Sequence, residues 1–276
     1  MTEERALAFR CEEDWLYGVA SLPQQPCTRG VLIVVGGPQY RAGSHRQFAL
    51  LARALADQGI AALRFDYRGM GDSQGEPRSF ESVDADLRAA LDAFFAAVPS
   101  LREVALWGLC DGASAALFYA AQDARVSGVA LLNPWVRTER GMAKATIKHY
   151  YRARLLDPTL WRKLLAGRFQ LRAALSSLRQ LMGSAQQPAA SSAATLPERM
   201  RSGLEAFNGK VLLITSGKDL TAREFDDLAA ASPAWKRLLG AARVTRHRLG
   251  AADHTFSRRA WRDQVAAWTA QWVRTW

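Results

Sequence analysis

The sequence has few cysteines and histidines and no long hydrophobic segment. Three cysteines and four histidines occur among 276 residues. The three cysteines have neither an even count for a disulfide framework nor the spacing of a metal site. No run of about 18 or more uncharged apolar residues exists, so no membrane-spanning helix is expected. The acidic, mixed beginning is not typical of a secretory signal peptide. We expect a protein of the reducing cytoplasm without metal or cofactor.

Acidic residues are outnumbered, with 26 Asp and Glu against 37 Lys and Arg and a net charge of +11. The excess lies in residues 137–205, which contain 13 basic and 4 acidic residues. Such a charge commonly indicates nucleic-acid binding. Because the charge is confined to one segment and no recognised binding motif accompanies it, we do not expect a nucleic-acid partner.

Short apolar runs alternate with helical patterns along most of the chain. The strand patterns are Val31–Gly37, Ile60–Gly69, the start of Glu103–Ala121, Val126–Pro134, Lys210–Asp219 and Ala242–Gly250. The helical patterns are His45–Gly59, Phe80–Val98, the second half of Glu103–Ala121 and Trp261–Val273. This alternation predicts an α/β fold with a mostly parallel central sheet and helices on both faces.

Residues 136–207 interrupt the alternation, because they show helical patterns and no strand. The candidate helices are Thr138–Leu155, Pro158–Ala166, Phe169–Met182 and Leu196–Phe207. We interpret this segment as a helical lid inserted between two parts of one core, residues 1–135 and 208–276. Its basic residues are either a solvated helical face or a surface for an anionic acyl donor, such as a CoA or carrier-protein thioester, or for an anionic membrane.

The strongest motif is Gly108-Leu109-Cys110-Asp111-Gly112, between an apolar strand and a helix of small residues. It matches the G-x-S-x-G turn that presents a nucleophile above a sheet edge, with Cys in the position of Ser. A helix N-terminus favours a reactive thiolate. Cys110 is therefore the candidate nucleophile, although a buried structural cysteine is the alternative. Cys11 and Cys27 lack this context.

A thiol nucleophile needs a base and a group that orients the base. Asp219 follows an apolar strand, and His254 lies between the last strand and the last helix, so their chain order fits the nucleophile–acid–His order of such sites. The alternatives are a turn-capping role for Asp219 and a loop histidine. Asp253 is the second candidate for the acid, while Asp226 and Asp227 fall within a helical stretch.

Two backbone N–H groups are expected to stabilise an oxyanion. We assign them to Asp111, after the nucleophile, and to Gly37, because Pro38 has no N–H. Gln39 is the fallback donor or a substrate contact. Arg41 is either a contact for an anionic substrate group or a surface arginine. The turn Asp66–Ser73 is expected to support the site structurally.

Together these residues resemble the α/β-hydrolase superfamily over Arg29–Trp276. More narrowly, GGPQYRAGSHRQF, GLCDGASAAL and SGKDLTAREF resemble the exosortase A system-associated hydrolase of type 1. The departure from the superfamily pattern is Cys110 for Ser. The resemblance implies the fold and a Cys-His-Asp triad in a bacterial exosortase or exopolysaccharide setting, but no substrate.

These observations predict an acyl hydrolase of the esterase or thioesterase type that forms an acyl-thioester on Cys110. Two alternatives stay open. One is an acyltransferase with an acceptor other than water, and the other is a non-catalytic binding protein of the same fold.

Overall fold

The computed structural model describes residues 2–25, 27–37, 39–136 and 194–276 and contains an eight-stranded sheet. Its strands are β1 (Glu3–Cys11), β2 (Asp14–Leu22), β3 (Arg29–Val34), β4 (Ala61–Asp66), β5 (Glu103–Leu109), β6 (Val126–Leu132), β7 (Lys210–Ser216) and β8 (Val244–Leu249). The spatial order is β1-β2-β4-β3-β5-β6-β7-β8. From β4 to β8 all neighbours are parallel, which confirms the predicted sheet.

The helices of the described residues are α1 (Gln47–Asp57), α2 (Asp84–Ala97), α3 (Asp111–Tyr119), α4 (Leu196–Ala206), α5 (Leu220–Ala231), α6 (Pro233–Leu239) and α7 (Arg259–Val273). Helix α1 packs against α7, while α2, α3 and α4 pack together. The two groups cover the sheet, so its central strands are buried. Strands β3 and β4 are almost wholly inaccessible. Most of their residues are apolar, as in buried parallel strands, but β4 also buries Arg64 and Asp66.

The hairpin of β1 and β2 was not predicted from the sequence. Both of its pairings, β1 with β2 and β2 with β4, are antiparallel and form one edge of the sheet. Strand β1 leaves most of its side chains exposed, so charged residues replace the apolar pattern of a buried strand. Glu12, in the turn, has a φ of 54°.

Only the end of the predicted lid falls within the described residues. Its last candidate helix is confirmed as α4, which packs on α3 through a close approach at Gly203. A Cβ atom placed there would lie 2.6 Å from the carbonyl oxygen of Leu117. The other three candidate helices lie outside the described residues. In the part of the chain that is described, no helix is long and apolar enough to cross a membrane.

Candidate active site

Cys110 occupies a sharp turn between β5 and α3. Its backbone has φ 62° and ψ −126°, which is strained for any residue except glycine. Three backbone hydrogen bonds hold it there. The Cys110 N–H donates to Leu132 O at 2.9 Å, and its carbonyl accepts from the N–H groups of Ala113 and Trp135, each at 3.1 Å. The predicted strand–turn–helix geometry is therefore present, and the Cys110 side chain is partly exposed.

The glycines of the motif are required by close backbone contacts. A Cβ atom on Gly108 would lie 2.3 Å from the carbonyl group of Gly112. A Cβ atom on Gly112 would lie 2.5 Å from Val34 O on β3. Real Cβ atoms do not approach backbone atoms so closely. Glycine at both positions thus allows the turn to close against the neighbouring strand.

His254 and Asp219 meet at the carboxyl ends of the strands. His254 Nδ1 lies 2.9 Å from Asp219 Oδ2. The same carboxylate caps α5, because it accepts hydrogen bonds from Thr221 N at 3.2 Å and Ala222 N at 3.0 Å. The sequence left two roles open for Asp219, capping a turn and contacting the histidine. In the structure its carboxylate makes both kinds of contact.

The electrostatics of this pair follow from its burial and its contacts. Burial alone would raise the pKa of Asp219, but its contact with His254 and the two N–H donors hold that pKa below the usual value. Burial would lower the pKa of His254. Hydrogen bonds to Asp219 and to Cys110 outweigh it and raise the pKa of His254 to about 10. The contacts with Asp219 and Cys110 thus favour the protonated form of His254.

The alternative candidates make other contacts. Asp253 accepts a hydrogen bond from the backbone N–H of Ser257 at 2.9 Å. Asp226 pairs with Arg248 at 3.0 Å. Cys11 and Cys27 are buried in the core. Within the described ranges, no group of three or more His, Cys, Asp or Glu residues could hold a metal ion.

Asn133 is a site residue that the sequence reasoning missed. It follows β6 with a φ of 42° and is completely buried. Its amide donates a 2.8 Å hydrogen bond to the carbonyl oxygen of His254 and accepts one of 2.8 Å from Ser216 N. Its signal in the sequence is an Asn immediately after an apolar strand, a residue type that tolerates positive φ.

The two expected oxyanion donors lie beside one carboxylate. Asp111 Oδ1 accepts a hydrogen bond from Gly37 N at 2.7 Å and another from Gly112 N at 3.0 Å. Burial raises the pKa of Asp111, although the N–H groups of Gly37, Gly112 and Asp111 itself and the charge of His254 act in the opposite direction. The Gly37 N–H is therefore engaged in this structure.

The loop after β3 is held by its own side chains. Gln39 Oε1 accepts hydrogen bonds from Ser44 N at 2.9 Å and from Ser44 Oγ at 3.2 Å. The Arg41 guanidinium pairs with Asp66 and with Asp72. Asp66 also accepts from the backbone N–H groups of Arg41 and Asp72. These contacts connect the loop to the turn Asp66–Ser73, and substrate contacts by Gln39 and Arg41 stay predictions.

Comparison with known proteins identifies the family. Residues 26–221, well over half of the chain, match the model of Hydrolase_4, described as serine aminopeptidase, S33. The polyketide transferase grgF of a Penicillium species is 35% identical over 94 residues, 31% of this chain and 31% of that protein. An uncharacterised protein of Pseudomonas aeruginosa, PA2218, is 34% identical over 102 residues, 35% of this chain and 27% of that protein. The chain thus spans less than a third of the length of either curated relative.

Solved structures share the fold. The esterase Pf2001 of Pyrococcus furiosus has a TM-score of 0.68 and 14% identity, with 100% of this chain and 92% of that chain covered. Dienelactone hydrolase of Anabaena variabilis has a TM-score of 0.61 and 17% identity, with 98% and 96% covered. The chain has Cys110 where the G-x-S-x-G pattern has serine. It is an α/β hydrolase and belongs to the Hydrolase_4 family.

Proposed function

We propose that this α/β hydrolase is an esterase or thioesterase that acts through Cys110, His254 and Asp219. The single observation that carries the proposal is the 2.9 Å contact between His254 Nδ1 and Asp219 Oδ2, at the sheet edge where the strained turn presents Cys110. A nucleophile on a strained turn, beside a base oriented by a carboxylate, is the arrangement that covalent acyl transfer needs.

In the first half of the reaction, the Cys110 sulfur attacks the acyl carbonyl carbon. The resulting oxyanion is assigned to the N–H groups of Asp111 and Gly37, each donor typically contributing about 3 kcal/mol. As the carbonyl forms again, the bond to the leaving oxygen or sulfur breaks. That atom takes the proton held by His254, and the acyl group remains on Cys110 as a thioester.

In the second half, His254 accepts a proton from water as the water oxygen attacks the thioester. The carbon–sulfur bond breaks, the acid leaves and the Cys110 thiolate forms again. Asp219 keeps the Nδ1 proton of His254 in place and stabilises the imidazolium. These steps require no metal or cofactor.

Acyl transfer to an amine or hydroxyl acceptor is the second candidate function. It is supported by the sequence similarity to a protein named polyketide transferase. Both functions share the thioester on Cys110 and differ only in the acceptor. Product analysis with and without added amines distinguishes them, because a transferase yields the amide faster than the free acid.

The donor is proposed to be anionic, such as a CoA or carrier-protein thioester. The excess of basic residues in 137–205, 13 against 4 acidic ones, supports this. Contact of the same segment with an anionic membrane is the alternative proposal. We expect turnover of anionic donors to fall steeply with added salt, and equal salt dependence for neutral donors would contradict it. A cytoplasmic setting and a link to an exosortase system remain proposals from the sequence.

Intact-protein mass spectrometry tests the function. The protein is exposed to p-nitrophenyl esters and acyl-CoA thioesters, alongside Cys110→Ala and His254→Ala. We expect an acyl adduct that turns over in the wild type, accumulates in His254→Ala and is absent from Cys110→Ala. Cys27→Ser, which changes a buried cysteine, serves as the matched control and retains the adduct. No adduct from any donor would favour a non-catalytic binding protein.

A further inference from the structure

The acyl-transfer function proposed above needs two N–H donors near Cys110 that can receive a substrate oxygen, and the donor expected on the β3 side is already engaged. The Gly37 N–H donates to Asp111 Oδ1 at 2.7 Å. The next N–H in this loop, that of Gln39, donates to Gly37 O at 2.8 Å. Pro38, between them, has no N–H. Of the described donors on the β3 side, neither candidate is free to receive a substrate oxygen.

The Asp111 carboxylate occupies a close-fitting cradle of glycine backbone. A Cβ atom on Gly36 would lie 2.4 Å from Asp111 Oδ1, so only glycine allows the carboxylate to lie there. Gly112 N supplies a second hydrogen bond at 3.0 Å. An anion held by N–H groups beside the nucleophile has the charge and the contacts of the oxyanion that forms during acyl transfer.

The carboxylate also has room to leave. Asp111 is only partly buried, as the first residue of α3. On the other side, a Cβ atom placed on Gly37 would meet no atom of the described residues within 4 Å, its two chain neighbours aside. Rotation of the Asp111 side chain would therefore free the Gly37 N–H without movement of the strand or of α3.

We propose that Asp111 is a gate residue that fills the oxyanion site until a bound acyl donor displaces its carboxylate. This rests on the proposed acyl-transfer function. The substrate carbonyl oxygen must compete with a carboxylate for the Gly37 N–H, so a small activated ester reacts slowly. A donor with a larger binding surface can use its binding energy to drive the displacement. The gate thus selects for large acyl donors over small ones.

The test compares Asp111→Ala with Asp111→Asn. Both variants remove the negative charge beside Cys110, but only alanine removes the oxygen that accepts from Gly37. The acylation rate with p-nitrophenyl acetate is measured by the burst of nitrophenol, and the iodoacetamide alkylation rate of Cys110 provides the reference. Alkylation forms no oxyanion, so the ratio of the two rates reports on the oxyanion site. Thermal unfolding verifies that both variants are folded.

We expect the ratio to rise about tenfold or more in Asp111→Ala and clearly less in Asp111→Asn, because a hydrogen bond to a charged acceptor is lost. The gain should be smaller with a long-chain ester. An equal ratio of acylation to alkylation rates in the two variants would overturn the proposed gate. A lower ratio in Asp111→Ala than in the wild type would also overturn it, and would show that the carboxylate shapes the oxyanion site. Failure of the acyl-transfer function has a different signature, in which iodoacetamide labels Cys110 but no variant, wild type included, is acylated.

Discussion

The side-chain amide of Asn133 is hydrogen bonded to the backbone carbonyl of His254 at 2.8 Å. The same side chain accepts from Ser216 N at 2.8 Å, so it connects the end of β7 to the histidine loop. Asn133 and His254 are 121 positions apart in the sequence, and this hydrogen bond joins them at the backbone of the candidate base. The position of the imidazole thus depends on a buried polar group as well as on Asp219.

Replacement of Asn133 should affect both stability and turnover. Asn133→Ala leaves a buried carbonyl and a buried N–H without partners, which costs about 1–3 kcal/mol for each group. Displacement of His254 should lower kcat about 10- to 100-fold, with less effect on KM. Denaturant unfolding, ester kinetics and the NMR signal of the His254 Nδ1 proton measure these effects.

Asn133→Asp is the matched control. It keeps an acceptor for Ser216 N and tolerates the positive φ, but it cannot donate to the His254 carbonyl when ionised. Its buried carboxylate would face the carbonyl oxygen of His254, so Asn133→Asp should lose at least as much stability as Asn133→Ala and show a comparable loss of turnover. Unchanged kcat and an unchanged Nδ1 proton signal in both variants would restrict Asn133 to a structural role.

The three cysteines should differ sharply in reactivity. Cys110 is partly exposed on its turn, whereas Cys11 and Cys27 are 3% and 8% exposed. Burial also raises the pKa of Cys11 to about 11 and raises the pKa of Cys27. In the folded protein iodoacetamide should modify Cys110 first, at a rate at least tenfold above the others. Peptide mapping after short exposure measures this order, and labelling of Cys11 or Cys27 at a comparable rate would contradict it.

The nucleophile turn should not tolerate a methyl group at Gly112. The Cβ atom would lie 2.5 Å from Val34 O, and neither backbone segment can yield easily. Gly112→Ala should therefore lower the free energy of unfolding by at least about 1–3 kcal/mol and abolish ester turnover. Gly250→Ala is the matched control, since a Cβ atom there meets no atom within 4 Å in the part of the chain that the structure describes. Similar stabilities for the two variants would argue against the packing seen at the turn.

Replacement of Arg41 should mainly lower the free energy of unfolding. Its guanidinium pairs with Asp66, whose side chain is 0% exposed. Arg41→Ala leaves that carboxylate with only its backbone donors, and loss of one partner of a buried pair costs about 3–5 kcal/mol. We expect the lower end of this range, because the two N–H donors remain. Arg41→Lys should lose less stability. A raised KM for anionic donors in Arg41→Lys, at unchanged stability, would instead support the predicted substrate contact.

The sequence predicted those parts of the structure that a short local pattern determines. Continuous apolar runs identified the buried parallel strands, and the glycines around Cys110 identified the turn. The edge hairpin was missed because β1 exposes most of its side chains and has no clean alternation. Asn133 was missed because its partners, His254 and Ser216, are remote in sequence. The contact between Asp111 and Gly37 depends on side-chain direction, which motif spacing does not report.

The charge state of His254 should make stability depend on pH. Its pKa in the folded protein is raised to about 10 by contacts with Asp219 and Cys110 that outweigh burial, whereas an unfolded histidine has a pKa of about 6.5. The folded protein therefore holds this proton more tightly. The stabilisation is fully present below about pH 6.5 and is lost as the pH rises through about 10. Denaturant unfolding between pH 6 and 10.5 should show this decline.

In Cys110→Ala the decline in stability should be smaller and end at lower pH, because one of the two contacts of His254 is removed. A wild-type profile parallel to that of His254→Ala would show that the imidazole does not carry the dependence.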